Sequence, residues 1–459
     1  MDESEKYADG PWLELTDLLL DEVKGRLGLI QPEAERWEIA KVALHRLYTH
    51  TGGDRLPVFP SDAARDDFLR HFLSYEVIEE FLADPLVEDI MINSPDSIFV
   101  HKSGEGLVRM ERKFSSYRAW LLFTKKLIVF AGRAEVDPIN DVELVNVRGR
   151  VNVVQSPFGP QITITRGKPH PLTILDLIAY DMLTYELGAQ LWLYIEGLRV
   201  RPANIIISGG AGVGKTTLLN ALLSFVPSTD RVVIIEDTLE LNTSCLENCA
   251  RLESCRRVQT PALVINSLRM RPERVLVGEV RGEEARDLMT AMNLGKHCMG
   301  TLHASYSGRE TVLRMQNEPM NVPPILLTLI DAFVILRKLN VDGKVMRIVS
   351  EVVETAGMEK QVVLLSPVWT YHLERRRIEE ASSNSIFRDR LAAESGRSSA
   401  QIIDELWRRS RVLEAMQESG NFKDILAVSA FCQRYSRDPR EAMREIKLNY
   451  EDAHHRRRS

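Results

Sequence analysis

Long apolar runs are missing from this chain of 459 residues. The longest candidate, PPILLTLIDAFVILRKL, is broken by Pro324 and Asp331 and falls short of the roughly 20 residues that cross a bilayer. An integral membrane protein is therefore not expected, and any work at a membrane has to be done by docking on something already there. The opening residues, MDESEKYADG, have neither the basic end nor the apolar centre of a signal peptide, so a cytoplasmic location is expected. Cysteines number only five, which in that setting excludes a disulfide framework. Cys245, Cys249 and Cys255 cluster, but without the paired spacing of a zinc ribbon and without a fourth ligand nearby. Positive charge is not in surplus either: 59 Lys and Arg against 65 Asp and Glu leave a net charge of −6, so nothing global draws the chain to nucleic acid or anionic lipid. No internal repeat is present.

What remains is an ordinary globular composition, 44% hydrophobic and 27% charged, in a chain long enough for about two to four domains. Residues 1–75 read as a helical leader, with the amphipathic EAERWEIAKVALHRLY and a break at THTGGDRLPVFPSD. Residues 76–168 change to short alternating runs such as RVNVVQS and QITITRG, with turns at Ser94-Pro95 and Ser103-Gly104; an α+β domain with a mainly antiparallel sheet is expected. After the linker-like GKPHPLT, residues 169–365 alternate apolar runs (ANIIISGG, RVVIIED, RVLVGE, CMGTLHA, DAFVILRK) with helix-forming segments, which predicts a parallel sheet covered by helices. Residues 366–459 read as a polar helical extension, with Ile402, Leu406, Leu413 and Met416 on one helix face, Arg408, Arg409 and Arg411 on other sides, and Pro439 opening a further helix. The tail HHRRRS reads as a solvated, disordered end.

Chemistry concentrates at the ends of the apolar runs. GGAGVGKT, Gly209 to Thr216, fits G-x-x-x-x-G-K-[ST] between a strand and a helix. Gly209, Gly210, Ala211, Gly212, Val213 and Gly214, with Thr216 and Thr217 opening the helix, are expected to cradle phosphates with backbone N–H groups. Lys215 would reach the β and γ phosphates of ATP, and the Thr216 hydroxyl would ligate Mg²⁺. Glu236, Asp237 and Glu240 in EDTLEL place three carboxylates past the next strand, which suggests metal coordination through water or activation of a water molecule. RVLVGEVRG ends another strand in Glu279, with Arg281 behind it, but carries Gly278 where nucleotide hydrolases usually place an aspartate. Glu279 and Glu240 are rival candidates for activating the attacking water, Arg281 for answering charge on the γ-phosphate, and His303 in GTLHAS for sensing it.

In this order and spacing, GGAGVGKTT, IEDTLEL, LRMRPERVLVGEVRG and GTLHAS resemble the Walker A, Asp box, Walker B and His box of the type II/type IV secretion ATPases. FLADPLVEDIMINSPDSIFV, RVNVVQSP and ITITRGKPHPLTILDLI resemble that superfamily's N-terminal nucleotide-capping domain and linker, so the likeness covers about residues 76–360. EPMNVPPILLTLIDAFVIL and the helical extension look most like the archaeal branch. The resemblance implies an α/β fold with a RecA-like P-loop domain, preceded by an α+β capping domain and followed by helices. It also implies a homohexameric motor on the inner face of the membrane, docked on a polytopic platform protein and driving pilin-like subunits. Arg150 in RGRVNVV and Arg166 in TITRG match arginines that the family presents to nucleotide, and Gly278 follows the family pattern. Two departures stand out: Lys296 replaces the first His-box histidine, with His297 displaced by one, and the tetracysteine module of many bacterial members is absent.

Three other readings compete. A DNA-translocating ring should show basic, aromatic-bearing pore loops, which a net charge of −6 and 7% aromatics do not favour. A non-hydrolysing scaffold should have lost Glu279 or part of the P-loop, and a small-molecule kinase would need a lid and an acceptor pocket for which no motif is present.

Overall fold

The structure, a computed structural model, describes residues 7, 10–28, 31–50, 56–103, 105–144, 149–166, 171–255, 257–304, 306–341 and 344–450. Two compact units divide the chain: Met1–Pro169 with Thr238–Glu240, and His170–Asp237 with Leu241–Ser459.

In the first unit, helices α1 (Gly10–Val23), α2 (Glu33–His50), α3 (Asp62–Leu73) and α4 (Glu79–Ala83) precede strands β1 (Val87–Ser94), β2 (Ser97–Lys102) and β3 (Gly106–Met110). Helix α5 (Tyr117–Phe130) then leads to β4 (Ile139–Leu144), β5 (Gly149–Ser156) and β6 (Gly159–Arg166). The sheet runs β3-β2-β1-β6-β5-β4 and is antiparallel throughout, as the alternating runs predict. Alternation buries Val151 and Val153 of β5 while Arg150 and Asn152 take the other face. The expected leader is not separate from this domain: Leu15, Leu19, Phe68 and Phe72 share one core with Ile90, Val100, Ile162 and Ile164. Three short amphipathic helices cannot close a core of their own, so their apolar faces pack with α5, where Lys125 also reaches Asp17 at 2.6 Å and Asp21 at 2.8 Å.

The second unit begins with α6 (Ile174–Ala179) and α7 (Tyr185–Glu196). It continues β7 (Ile205–Gly209), α8 (Lys215–Leu222), β8 (Val232–Glu236), β9 (Cys249–Glu253), α9 (Thr260–Ser267), β10 (Arg274–Val280), α10 (Glu284–Asn293), β11 (His297–His303), α11 (Gly308–Gln316), α12 (Pro324–Leu327) and β12 (Ala332–Val341). It closes with β13 (Lys344–Glu359), β14 (Val362–His372), β15 (Arg377–Glu380), α13 (Ile386–Ser395), α14 (Ser399–Ser419), α15 (Ile425–Arg437) and α16 (Pro439–Glu445). The nine-stranded sheet is ordered β15-β14-β13-β12-β7-β11-β10-β8-β9. From β12 to β9 it is parallel, and all five apolar runs picked from the sequence are strands within it. Ile205, Ile206 and Ile207 of β7 are fully buried because helices cover both faces; each contributes roughly 1.5–3 kcal/mol of burial.

Beyond β12 the sheet turns antiparallel, and here the expectation of a helical extension from residue 366 needs correction. Strand β14 runs to His372 and β15 follows, so helices begin only at Ile386. The two partly exposed strands and the turn that joins them carry charged residues, Arg375 and Arg376 in the turn and Arg377 at the start of β15, which by composition look like a solvated helix.

A second correction concerns α14. Ile402, Leu406, Leu413 and Met416 are buried as predicted, but Arg408 and Arg409 are buried too. Arg409 donates Nε–H to Glu405 Oε1 at 2.9 Å, pairs with Glu196 of α7 and lies 4.7 Å over the Trp192 ring. Burial alone would lower its pKa, but the two carboxylates raise it well above the ordinary value. Pro439 opens α16 behind an Asp438 cap, as expected, and the HHRRRS tail lies outside the described residues. Among the described residues no helix is long and apolar enough to cross a membrane.

Candidate active site

Strand β7 delivers the chain to the P-loop at Gly209, where a Cβ would lie 2.5 Å from the Leu336 carbonyl oxygen of neighbouring β12. Only glycine lets the two backbones approach so closely. Gly214 turns the chain into α8 with φ of 97°, and Val213 is buried, anchoring the loop while Ala211 and Gly212 stay exposed. The start of α8 thus faces the loop, with the half-buried Thr216 and Thr217 in its first turn.

Around Lys215 the structure gathers residues from three strand ends. Its Nζ donates to the carbonyls of Gly209 (3.1 Å) and Gly210 (2.8 Å) and lies 3.1 Å from Nδ1 of His303. His303 ends β11 directly beside Gly209, because β11 pairs in parallel with β7. Its Nε2 lies 3.2 Å from Oε1 of Glu279, whose Oε2 accepts from Arg281 Nη2 at 2.5 Å; Arg281 Nη1 is 3.8 Å from Asp237. Register is interrupted on β10 between Val277 and Val280, and that irregularity carries Glu279.

Electrostatics fix the protonation states. Burial, then the neighbouring Lys215 charge, hold the His303 pKa below the usual imidazole value, so the ring is neutral at pH 7. In the tautomer assigned from this network, Nδ1 accepts from Lys215 and Nε2–H donates to Glu279. Burial would raise the Glu279 pKa, but Arg281, His303 and Lys215 together lower it, so the carboxylate is ionised. Burial also lowers the Lys215 pKa, against the pull of Glu279.

The space that an aspartate at 278 would need is already taken. A Cβ on Gly278 would sit 2.9 Å from Cγ of Glu236, which is 3% exposed. Glu236 Oε1 accepts from the Leu241 amide at 2.9 Å, and Oε2 faces Arg251 at 3.3 Å. The three carboxylates of EDTLEL therefore do not gather as expected. Glu236 turns inward, Asp237 accepts hydroxyl hydrogen bonds from Ser254 and Thr260 at 2.8 Å, and Glu240 groups with the first unit, 3.6 Å from Arg150. Among the described residues no set of three or more His, Cys, Asp or Glu side chains could hold a metal by itself. The cradle fits a nucleotide and its Mg²⁺ in another way: the glycines leave room at the loop, and Thr216 offers a hydroxyl beside it. Arg166 is engaged inside the first unit, donating from Nη1 to the Asp84 carbonyl and, at 3.0 Å, to that of Val87.

Other expectations resolve by position. Lys296 and His297 stand at the start of β11, the opposite end of the strand from His303, so neither joins the constellation. The cysteine cluster flanks and enters edge strand β9; burial pushes Cys245 up to about 12 and Cys249 to about 11, keeping both as thiols. Beside the loop, a cavity of about 420 Å³ is lined by Gly210, His303, Ala304, Tyr306, Glu310 and Arg314. The partners of Glu236 and Asp237, namely Arg251, Ser254 and Thr260, were not singled out from the sequence, which carries no spacing signal for them.

Comparison with known proteins follows the same lines. Residues 140–427 match the family model described as "Type II/IV secretion system protein". An uncharacterized protein of Methanocaldococcus jannaschii is 28% identical over 384 residues, 79% of this chain and 68% of that protein. The conjugal transfer protein TrbB of Rhizobium radiobacter is 31% identical over 222 residues, 47% of this chain and 66% of TrbB. Among solved structures, the VirB11 ATPase of the Brucella suis type IV secretion system, in complex with sulphate, is 22% identical with a TM-score of 0.32, covering 60% of this chain and 92% of that one.

Proposed function

The chain belongs to the type II/IV secretion system protein family, and on that premise we propose that it is a motor that hydrolyses Mg-ATP. The observation that supports this reading best is the run Lys215–His303–Glu279–Arg281 beside an intact P-loop, with the Glu279 carboxylate ionised and the His303 ring neutral. The loop amides and α8 bind and orient the triphosphate, and Lys215 turns its charge to the β and γ oxygens. Thr216, with Asp237 nearby, would hold Mg²⁺, which would supply charge neutralisation at the phosphates. Glu279 is a weak base because Arg281 holds it ionised, so its task is to accept a hydrogen bond from the attacking water and aim it. His303 keeps its proton at Nε2 and links Glu279 to Lys215, which couples water orientation to phosphate contact.

Replacing Glu279 with glutamine tests this. ATP binding should persist while turnover falls by about 100-fold or more, whereas Lys215→Ala should lose binding. A wild-type protein inert toward Mg-ATP, or a fully active Glu279→Gln variant, would overturn the proposal.

In this reading the protein works as a homohexamer at the inner face of the cell membrane, on a polytopic platform protein, to assemble pilus-like filaments or move protein. Arg150 and Arg166 would then serve nucleotide from the first unit, and Glu240 remains the rival to Glu279. Similarity to a conjugal transfer protein supports a second reading, a DNA-translocating motor. DNA-stimulated turnover that weakens steeply with salt would favour it; a net charge of −6 does not.

A further inference from the structure

Strand order gives the triphosphate a direction. His303 of β11 and Glu279 of β10 both lie on one side of the P-loop strand β7, while β12 and β13 lie on the other. The γ-phosphate belongs with His303 and Glu279, so a nucleotide laid across the loop carries its nucleoside toward β13. That strand stands about 10 Å from β7, two strand spacings away.

One side chain of β13 reaches the loop from there. Val349 pairs with Leu336, which itself pairs with Gly209, and Val349 is fully buried in the core beneath the loop. Arg347, two residues earlier, takes the same face by strand alternation and passes beyond the core. Its Nε–H donates to the Gly212 carbonyl at 2.8 Å, and its Cδ lies 3.9 Å from where a Gly214 Cβ would be. Met182, whose carbonyl accepts from the Val349 amide at 2.8 Å, brings its Cε to within 3.6 Å of that same point. The guanidinium is exposed, and among the described residues no carboxylate forms an ion pair with it.

We propose that Arg347 is the residue that recognises the nucleoside end of the nucleotide, packing its planar guanidinium on the base while Nε holds the loop at Gly212 and Met182 forms the adjoining apolar wall. The inference rests on the nucleotide-binding reading above. A flat, delocalised cation suits a π-face, and it selects a nucleotide over a bare polyphosphate.

Titration of wild type, Arg347→Ala and Arg347→Lys with ATP, ADP and inorganic tripolyphosphate tests it, alongside Lys215→Ala. Arg347→Ala should weaken ATP and ADP binding about 10-fold while leaving tripolyphosphate within twofold, and lysine should not rescue. Equal loss for all three ligands would show that Arg347 only shapes the loop, and full rescue by lysine would reduce it to a phosphate contact; either overturns the proposal. Undiminished ATP affinity in Arg347→Ala overturns it too. If the wild type and Lys215→Ala bind ATP equally poorly, the nucleotide reading itself has failed, a result distinct from the others.

Discussion

Gly278→Ala puts the relation between β10 and β8 to a direct test. The added methyl would sit 2.9 Å from Cγ and 3.5 Å from Cβ of Glu236. Glu236 has little room to yield, since one oxygen holds the Leu241 amide, the other faces Arg251, and the side chain is almost fully buried. Overpacking of this kind costs about 1–3 kcal/mol, from which the lower chain entropy of alanine recovers roughly 0.5–1 kcal/mol. At about 2–4 °C per kcal/mol for a domain of this size, Tm should fall by up to roughly 10 °C. Glu236→Ala removes the clashing Cγ but strands its partners, so each single variant should be less stable than wild type while the double variant loses less than the sum. Scanning calorimetry of the four proteins measures this. Strict additivity, or a Tm in Gly278→Ala raised above that of wild type, would refute the steric account, as would a Gly278→Asp variant that folds normally and hydrolyses ATP faster.

Two further outcomes are expected. Arg409→Ala should cost about 3–5 kcal/mol, because it leaves Glu196 buried without its cation while Glu405 keeps only the Arg408 cation, and Arg409→Lys should recover only part of that loss; urea unfolding would show it. His71, His297 and His303 all have pKa values held below the usual 6.5 by burial first, so below pH 6.5 the unfolded chain binds more protons than the folded one. Stability should accordingly be level above pH 6.5 and fall as pH drops through the lowered folded values, and His297→Gln should flatten that slope in Tm measured from pH 7.5 to 5.5.

The phosphate loop and its strand partners were legible because their signals are local. GGAGVGKT is a contiguous motif, and β7, β8, β10, β11 and β12 are buried on both faces, so each reads as an unbroken apolar run. Contacts between distant segments were not. Arg347 and Gly212 are 135 residues apart, and Arg409 and Glu196 are 213 apart; in sequence, each arginine looks like any solvated charge. Gly278 stands out in the sequence, yet its cause is a side chain on another strand, which no local pattern can carry. Strands β14 and β15 are not legible because, at the exposed end of the sheet, they tolerate the polar composition of a surface helix.

The Arg409 junction bears on how this protein can be cut. A chain ended after β15 would keep Glu196 but lose the cation that neutralises it, and would bare Trp192 where Arg409 and Tyr435 now cover it. The four last helices are thus an inner wall of the second unit rather than a detachable appendage, and a chain shortened after β15 should be handled as a different, less soluble protein.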